Sequence, residues 1–180
     1  MTVLNKSFYL KDTLDVAQSL LGCVLCRRID GKVIRGIIVE TEAYTQDDPA
    51  CHTYRGITNR SKVMFEEGGI SYVYFIYGMH YCFNVVTEKK DLGCAVLIRA
   101  LEPLNCNLKT NGPSKLCKAL SITKDLNGIN LTTDKSDIWI EKGKTPADII
   151  VTTRIGIKEA ADYLRRFYIK DNKWVSTVSY

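Results

Sequence analysis

The chain has 180 residues, 46% of them hydrophobic and 25% charged, with only 12 Gly and 4 Pro, a composition that excludes collagen-like, linker-like and disordered classes. This length fits one domain with a core large enough to need neither disulfides nor metal. A total of 25 Lys and Arg against 20 Asp and Glu leaves a formal charge of +5, which favours a polyanionic partner such as nucleic acid without requiring one.

No secretory leader is read in the first residues. The odd set Cys23, Cys26, Cys51, Cys82, Cys94, Cys106 and Cys117 points to a reducing cytoplasm. Asp12-Thr13-Leu14-Asp15 opens an amphipathic helix with Leu14, Ala17, Leu20 and Leu21 on its apolar face, and Gly22 closes it. Cys23 and Cys26 have CxxC spacing, but His52 and His80 do not complete a zinc set, so packed thiols are expected. Strands are predicted over 23–29, 33–44, 72–77, 79–86 and 95–101, with Asp30-Gly31 turning the first hairpin. The uncharged run from Gly68 to Thr87 is 20 residues long, enough to span a membrane. Its Gly68, Gly69, Gly78, Ser71, His80, Asn84 and tyrosines exclude that, and two aromatic strands bent near Gly78 are expected instead. Gly112-Pro113-Ser114 leads into a helix over 115–120 whose free N–H groups suit a phosphate. A strand over 147–157, a helical turn over 158–164 and an aromatic strand pair over 166–178 complete the reading, with no repeat or linker.

Between Ile37 and Ala50 the chain carries Glu40, Glu42, Asp47 and Asp48 and no base. Glu40 and Glu42, two apart on a strand, share a face opposite Thr41 and Ala43. Such a pair suits general-base chemistry, one carboxylate deprotonating water while the other orients its neighbours; a solvated strand end explains it as well. His52, Arg55, Arg60 and Lys62 then form a basic stretch that either clamps phosphates or is a solvated loop. The aromatics of 72–81 are either buried strand residues or platforms for stacked bases. Taken together, the three segments favour an enzyme acting on nucleic acid.

The chain resembles the alkyladenine DNA glycosylase family, the 3-methyladenine DNA glycosylases of the same type. The likeness is carried by Phe8-Tyr9 with Asp12-Thr13-Leu14, by Val39-Glu40-Thr41-Glu42-Ala43-Tyr44, and by the run from Tyr72 to Cys82 with Asn84. It continues through Ala95 to Pro103, Gly112 to Cys117, Arg154 to Ile157, Arg166-Phe167-Tyr168 and Trp174-Val175-Ser176. The resemblance implies a monofunctional glycosylase that extrudes alkylated or deaminated purines from double-stranded DNA. It implies that Glu42 activates the water attacking the sugar C1′ and that Arg99 helps hold it. Tyr44, His52, Tyr74 and Asn84 would line the base pocket, with Asn84 discriminating against normal guanine. Tyr77 and Met79 at the hairpin tip would enter the minor groove, and Arg60, Lys62, Lys115 and Arg154 would contact phosphates. No metal or organic cofactor is required, no membrane is involved, and a monomer is expected. The fold expected is a single mixed α/β (α+β) domain over 1–180, a curved, mostly antiparallel sheet with peripheral helices and a protruding hairpin.

Two departures from the family pattern stand out. The segment between Pro103 and Gly112 is short where the family carries an insertion, and Asp162 to Arg166 replaces a proline-containing approach to Arg166-Phe167-Tyr168. The rivals are a lesion-binding module without catalysis, against which intact Glu42, Arg99 and Tyr77 argue, and a small-molecule formyl or acyl transferase. The latter calls for a glycine-rich nucleotide loop or a nucleophilic Ser or Cys setting, and the sequence offers neither.

Overall fold

The computed structural model describes residues 2–76 and 78–176. Asn5 and Asp12 cap two short helices, α1 (Lys6–Tyr9) and α2 (Thr13–Ser19), by accepting the first free backbone N–H groups. Gly22 ends the α2 region at φ +86°, where a side chain would strike the Lys144 carbonyl, so conformation and space both demand glycine.

Strands β1 (Val24–Ile29) and β2 (Lys32–Tyr44) form the expected hairpin, with Asp30 at φ 47° and Gly31 at φ 75°. A second hairpin joins β3 (Ser71–Ile76) to β4 (His80–Val86), and β5 (Ala95–Pro103) runs beside β4. Helix α3 (Pro113–Ala119) is followed by β6 (Ile138–Glu141), β7 (Ile149–Thr152) and β8 (Arg166–Ile169). The curled antiparallel sheet runs in the order β3-β4-β5-β2-β1-β6, with β8 joining β2 to β7. The fold class is therefore the mixed α/β one expected.

Strand β2 is the spine. Its first half pairs with β1, Glu40–Glu42 pair with β8, and β5 runs along the other edge. Register shifts around Glu40 mark a bulge. In an unbroken strand Ile38 and Ala43 would lie on opposite faces; the bulge resets the alternation and both enter the main core. Thr41 faces the same way and donates to the Ala17 carbonyl of α2 at 2.8 Å.

That main core is built by Val16, Ala17 and Leu20 around α2 and by Leu116, Cys117 and Leu120 around α3, packed on Ile38, Phe83, Val96 and Ile98. Fully burying each large side chain contributes roughly 1.5–3 kcal/mol. A second cluster holds Cys51, Met64, Tyr72, Val86 and Ala95, and a third Val24, Cys26 and Trp139. Cys23 packs into the main core and Cys26 into the third cluster, so the CxxC pair is two separate packed thiols.

Several sequence expectations are corrected. The strand expected over 147–157 is limited to β7, and within 158–164 the turn is confined to residues 159–162. Among the described residues of the pair expected over 166–178 only β8 forms, because Asp171 adopts φ 57° and the Asn172 side chain accepts the Trp174 N–H, making a turn. Thr177 and Val178 lie outside the described residues. Helix α1 and strand β6 went unread. Among the described residues no helix is long and apolar enough to cross a membrane.

Candidate active site

On the face of β2 turned away from α2, Glu40 and Glu42 are both fully buried, which requires compensation of each charge. Arg99, on the neighbouring β5, lies between them: its Nε donates to Glu40 Oε1 at 3.1 Å and its Nη1 pairs with Glu42 Oε1 at 3.1 Å. Burial works against the guanidinium charge, but Glu42 and Glu40 outweigh it and hold Arg99 above its ordinary range. Glu40 also accepts from Arg166 Nε at 2.7 Å and from Ser176, N at 2.8 Å and Oγ at 2.9 Å. Glu42 accepts the Ile155 N–H at 2.9 Å and the Tyr44 hydroxyl at 2.8 Å.

Glu42 and Arg99 border a cavity of about 380 Å³, within the range of small-ligand sites. Period-two alternation brings Tyr72, Tyr74 and Ile76 of β3 to its wall, with Cys82 and Asn84 from β4 and Leu97 from β5. Loop residues His52 and Ile155 to Ile157 close it, with Pro113 at the start of α3. The Tyr72 and Tyr74 rings are 5.3 Å apart, and His52 meets Tyr74 edge-on at 4.6 Å. His52 Nδ1 lies 3.0 Å from the Tyr72 hydroxyl. Burial of that inner edge, helped by the Arg60 guanidinium, pushes the imidazole down to about 4. Burial pushes Tyr72 up to about 12 and raises Tyr44 and Tyr74 further, Glu42 adding to the effect on Tyr44. The Cys51 and Cys82 thiols are likewise pushed up by burial and are not poised as thiolate nucleophiles. The cavity thus presents neutral aromatic rings and one ionisable acceptor, Glu42, beside a cation.

The structure brings together Glu42, Arg99, Tyr44, His52, Tyr74 and Asn84. Asn84 Nδ2 donates to the Tyr72 carbonyl at 3.0 Å, which fixes the amide. One face of the Tyr44 ring is covered by the Arg154 guanidinium at 4.7 Å. Met79 stands 70% exposed beside the hairpin turn, and Tyr77 lies outside the described residues. Arg60, Lys62 and Lys115 are exposed, and Arg60 also lies 4.9 Å over the Tyr74 ring.

Arg154 is the correction. Expected at a phosphate, it is buried and holds Asp48 through both terminal nitrogens, leaving no surface for DNA. The reading also missed Tyr72, Asp48, Arg166, Ser176 and Ile155. Tyr72 was legible from its spacing to Tyr74; Ile155 contributes a backbone N–H, which side-chain chemistry does not reveal.

The family model for methylpurine-DNA glycosylase matches residues 7–173 of this chain. A protein of Carboxydothermus hydrogenoformans is 51% identical over 189 aligned positions, covering 97% of this chain and 98% of the relative. Similar proteins of Clostridium botulinum, 48% identical over 97% of this chain and 98% of the relative, and of Francisella tularensis, 48% over 91% and 93%, share its description. All three are provisionally named 3-methyladenine DNA glycosylases.

Proposed function

We propose a mechanism from one premise: the chain belongs to the methylpurine-DNA glycosylase family and is a hydrolase of N-glycosyl bonds in DNA. Its substrate is an alkylated or deaminated purine nucleotide, such as 3-methyladenine, 7-methylguanine or hypoxanthine, flipped out of duplex DNA into the aromatic cavity. Extrusion costs a few kcal/mol, least for damaged bases, and Tyr77 and Met79 of the hairpin fill the vacated stack.

Purines alkylated at N3 or N7 carry positive charge. Tyrosine faces attract them, and a His52 kept neutral adds no repulsion. As the glycosidic bond lengthens, positive charge develops at C1′ beside Glu42. Glu42 takes a proton from water, the oxygen bonds to C1′, and the base leaves with the glycosidic electron pair. Arg99 holds Glu42 and the water in place, while the fixed Asn84 amide crowds the 2-amino group of normal guanine. A carboxylate rather than an amine at the reacting carbon forms no Schiff base, so the product is an intact strand with an abasic site. Arg60, Lys62 and Lys115 contact phosphates. The acting unit is a monomer, and the bacterial relatives support action in the cytoplasm or nucleoid.

The observation that carries this reading is a buried carboxylate, held by donors on both oxygens, at the wall of an aromatic cavity of base-accommodating size. Single-turnover release of an alkylated purine or hypoxanthine from duplex DNA, comparing the native chain with Glu42→Gln, tests it. Base loss by the native protein alone, with breaks only after alkali, is expected. Release by both proteins removes Glu42 from the mechanism; tight binding with release by neither leaves a lesion-recognition module.

A further inference from the structure

The acidic turn after β2 holds a carboxylate with no place in that mechanism. Asp48 is fully buried and accepts from Arg154 at both oxygens, from the Ala50 N–H at 3.0 Å and from Arg165 at 3.3 Å. Arg154 and Arg165 flank the irregular segment 155–164, whose first residues form one wall of the cavity. A single carboxylate therefore ties down both ends of that segment.

Both neutral donors to Glu42 trace back to this clamp. Ile155, whose N–H reaches Oε1, is the residue after Arg154. Tyr44, whose hydroxyl reaches Oε2, has the Arg154 guanidinium over its ring, and Arg154 Nη1 also donates to the Ala43 carbonyl at 3.1 Å. We propose that Asp48 and Arg154 are positioning residues for the reaction. They hold Ile155 and Tyr44 against Glu42, fix the direction in which its carboxylate meets water, and do not touch DNA. The inference rests on Glu42 acting as the general base. Its physical basis is the guanidinium, which spans both oxygens of one carboxylate and sits over a ring at once; a lysine ammonium cannot do both.

Arg154→Lys and Asp48→Asn, each assayed well below its own melting midpoint, test the proposal. Misplacing a reacting group by an ångström costs about 100-fold, so single-turnover base release at saturating enzyme is expected to fall by about 10- to 100-fold. Affinity for the damaged duplex should stay within about twofold, with its salt dependence unchanged. Because the effect runs through Glu42, Arg154→Lys in a Glu42→Gln background should add less than about twofold, whereas general loosening of the fold would multiply the two losses. A native rate in Arg154→Lys overturns the proposal. So does a loss of affinity with a salt slope lower by about one, the signature of a phosphate contact. If Glu42→Gln itself releases base at the native rate, it is the general-base reading that has failed; if only Arg154→Lys does, the positioning role alone is lost.

Discussion

Glu40 and Glu42 stand two residues apart on one strand, face the same way and are equally buried, yet only Glu42 borders the cavity. A carboxylate has about four acceptor positions. Around Glu40 four donors converge, Arg99, Arg166 and the Ser176 hydroxyl on Oε1 and the Ser176 N–H on Oε2, and among the described residues no cavity adjoins it. Around Glu42 the described residues supply Ile155, Tyr44 and the Arg99 ion pair, and the cavity lies beside them. Neither charge nor burial separates the two; acceptor capacity facing open space does. One carboxylate fastens the sheet to the C-terminal segment, and its neighbour is left able to bind water.

The largest effect should come from Glu42→Gln, which keeps the shape of the side chain but removes the oxygen able to take a proton from water. Base release is expected to fall by about 10²- to 10⁴-fold, read in single turnover. Glu40→Gln should invert the pattern. It strands Arg166 and half of Arg99, costing about 3–5 kcal/mol of stability in urea unfolding, with a smaller loss of rate than Glu42→Gln. Equal rate losses in two stably folded variants would break the comparison. Tyr74→Ala, which strips an aromatic ring from the cavity, should weaken capture of the flipped base by roughly 1–3 kcal/mol in damaged-duplex binding and leave undamaged DNA little affected. His52 sharpens the contrast through pH. Its folded value of about 4 lies below the ordinary 6.5, so the unfolded chain binds the extra proton first. Its contribution is complete above pH 6.5 and is lost as pH falls towards 4; a melting series should show this slope flatten in His52→Asn. Smallest of all, Met79→Ala should change stability by no more than about 0.5 kcal/mol, since the side chain stands in solvent, and act only on damaged-duplex binding.

Much of this was legible in the sequence. The Asp12 cap, the Asp30-Gly31 turn and the alternation of 72–86 each state a local preference that the fold keeps, and the spacing of Glu40 and Glu42 put them on one face. The bulge was not legible, because it is set by the pairing of β2 with β5 and β8 rather than by residue type. Arg154 was misread because charge is visible in a sequence and burial is not: only Asp48 folded against it distinguishes an internal clamp from a phosphate contact. The donors to Glu40 escaped for a related reason, since Arg166 and Ser176 meet it only through the path of the C-terminal segment.

That path has a consequence for how the protein is made. Glu40 meets Arg99 across 59 positions of chain, Arg166 across 126 and Ser176 across 136, and Glu42 meets Ile155 across 113. Contacts of such separation close late in folding, after the β1–β2 and β3–β4 hairpins have formed locally. A nascent chain emerging from the ribosome would thus carry both acids for most of its synthesis without the groups that make their burial tolerable. The hydrolytic centre is completed last, and by the same logic it is the first thing lost when the C-terminal segment peels away, so inactivation on warming should precede melting of the sheet.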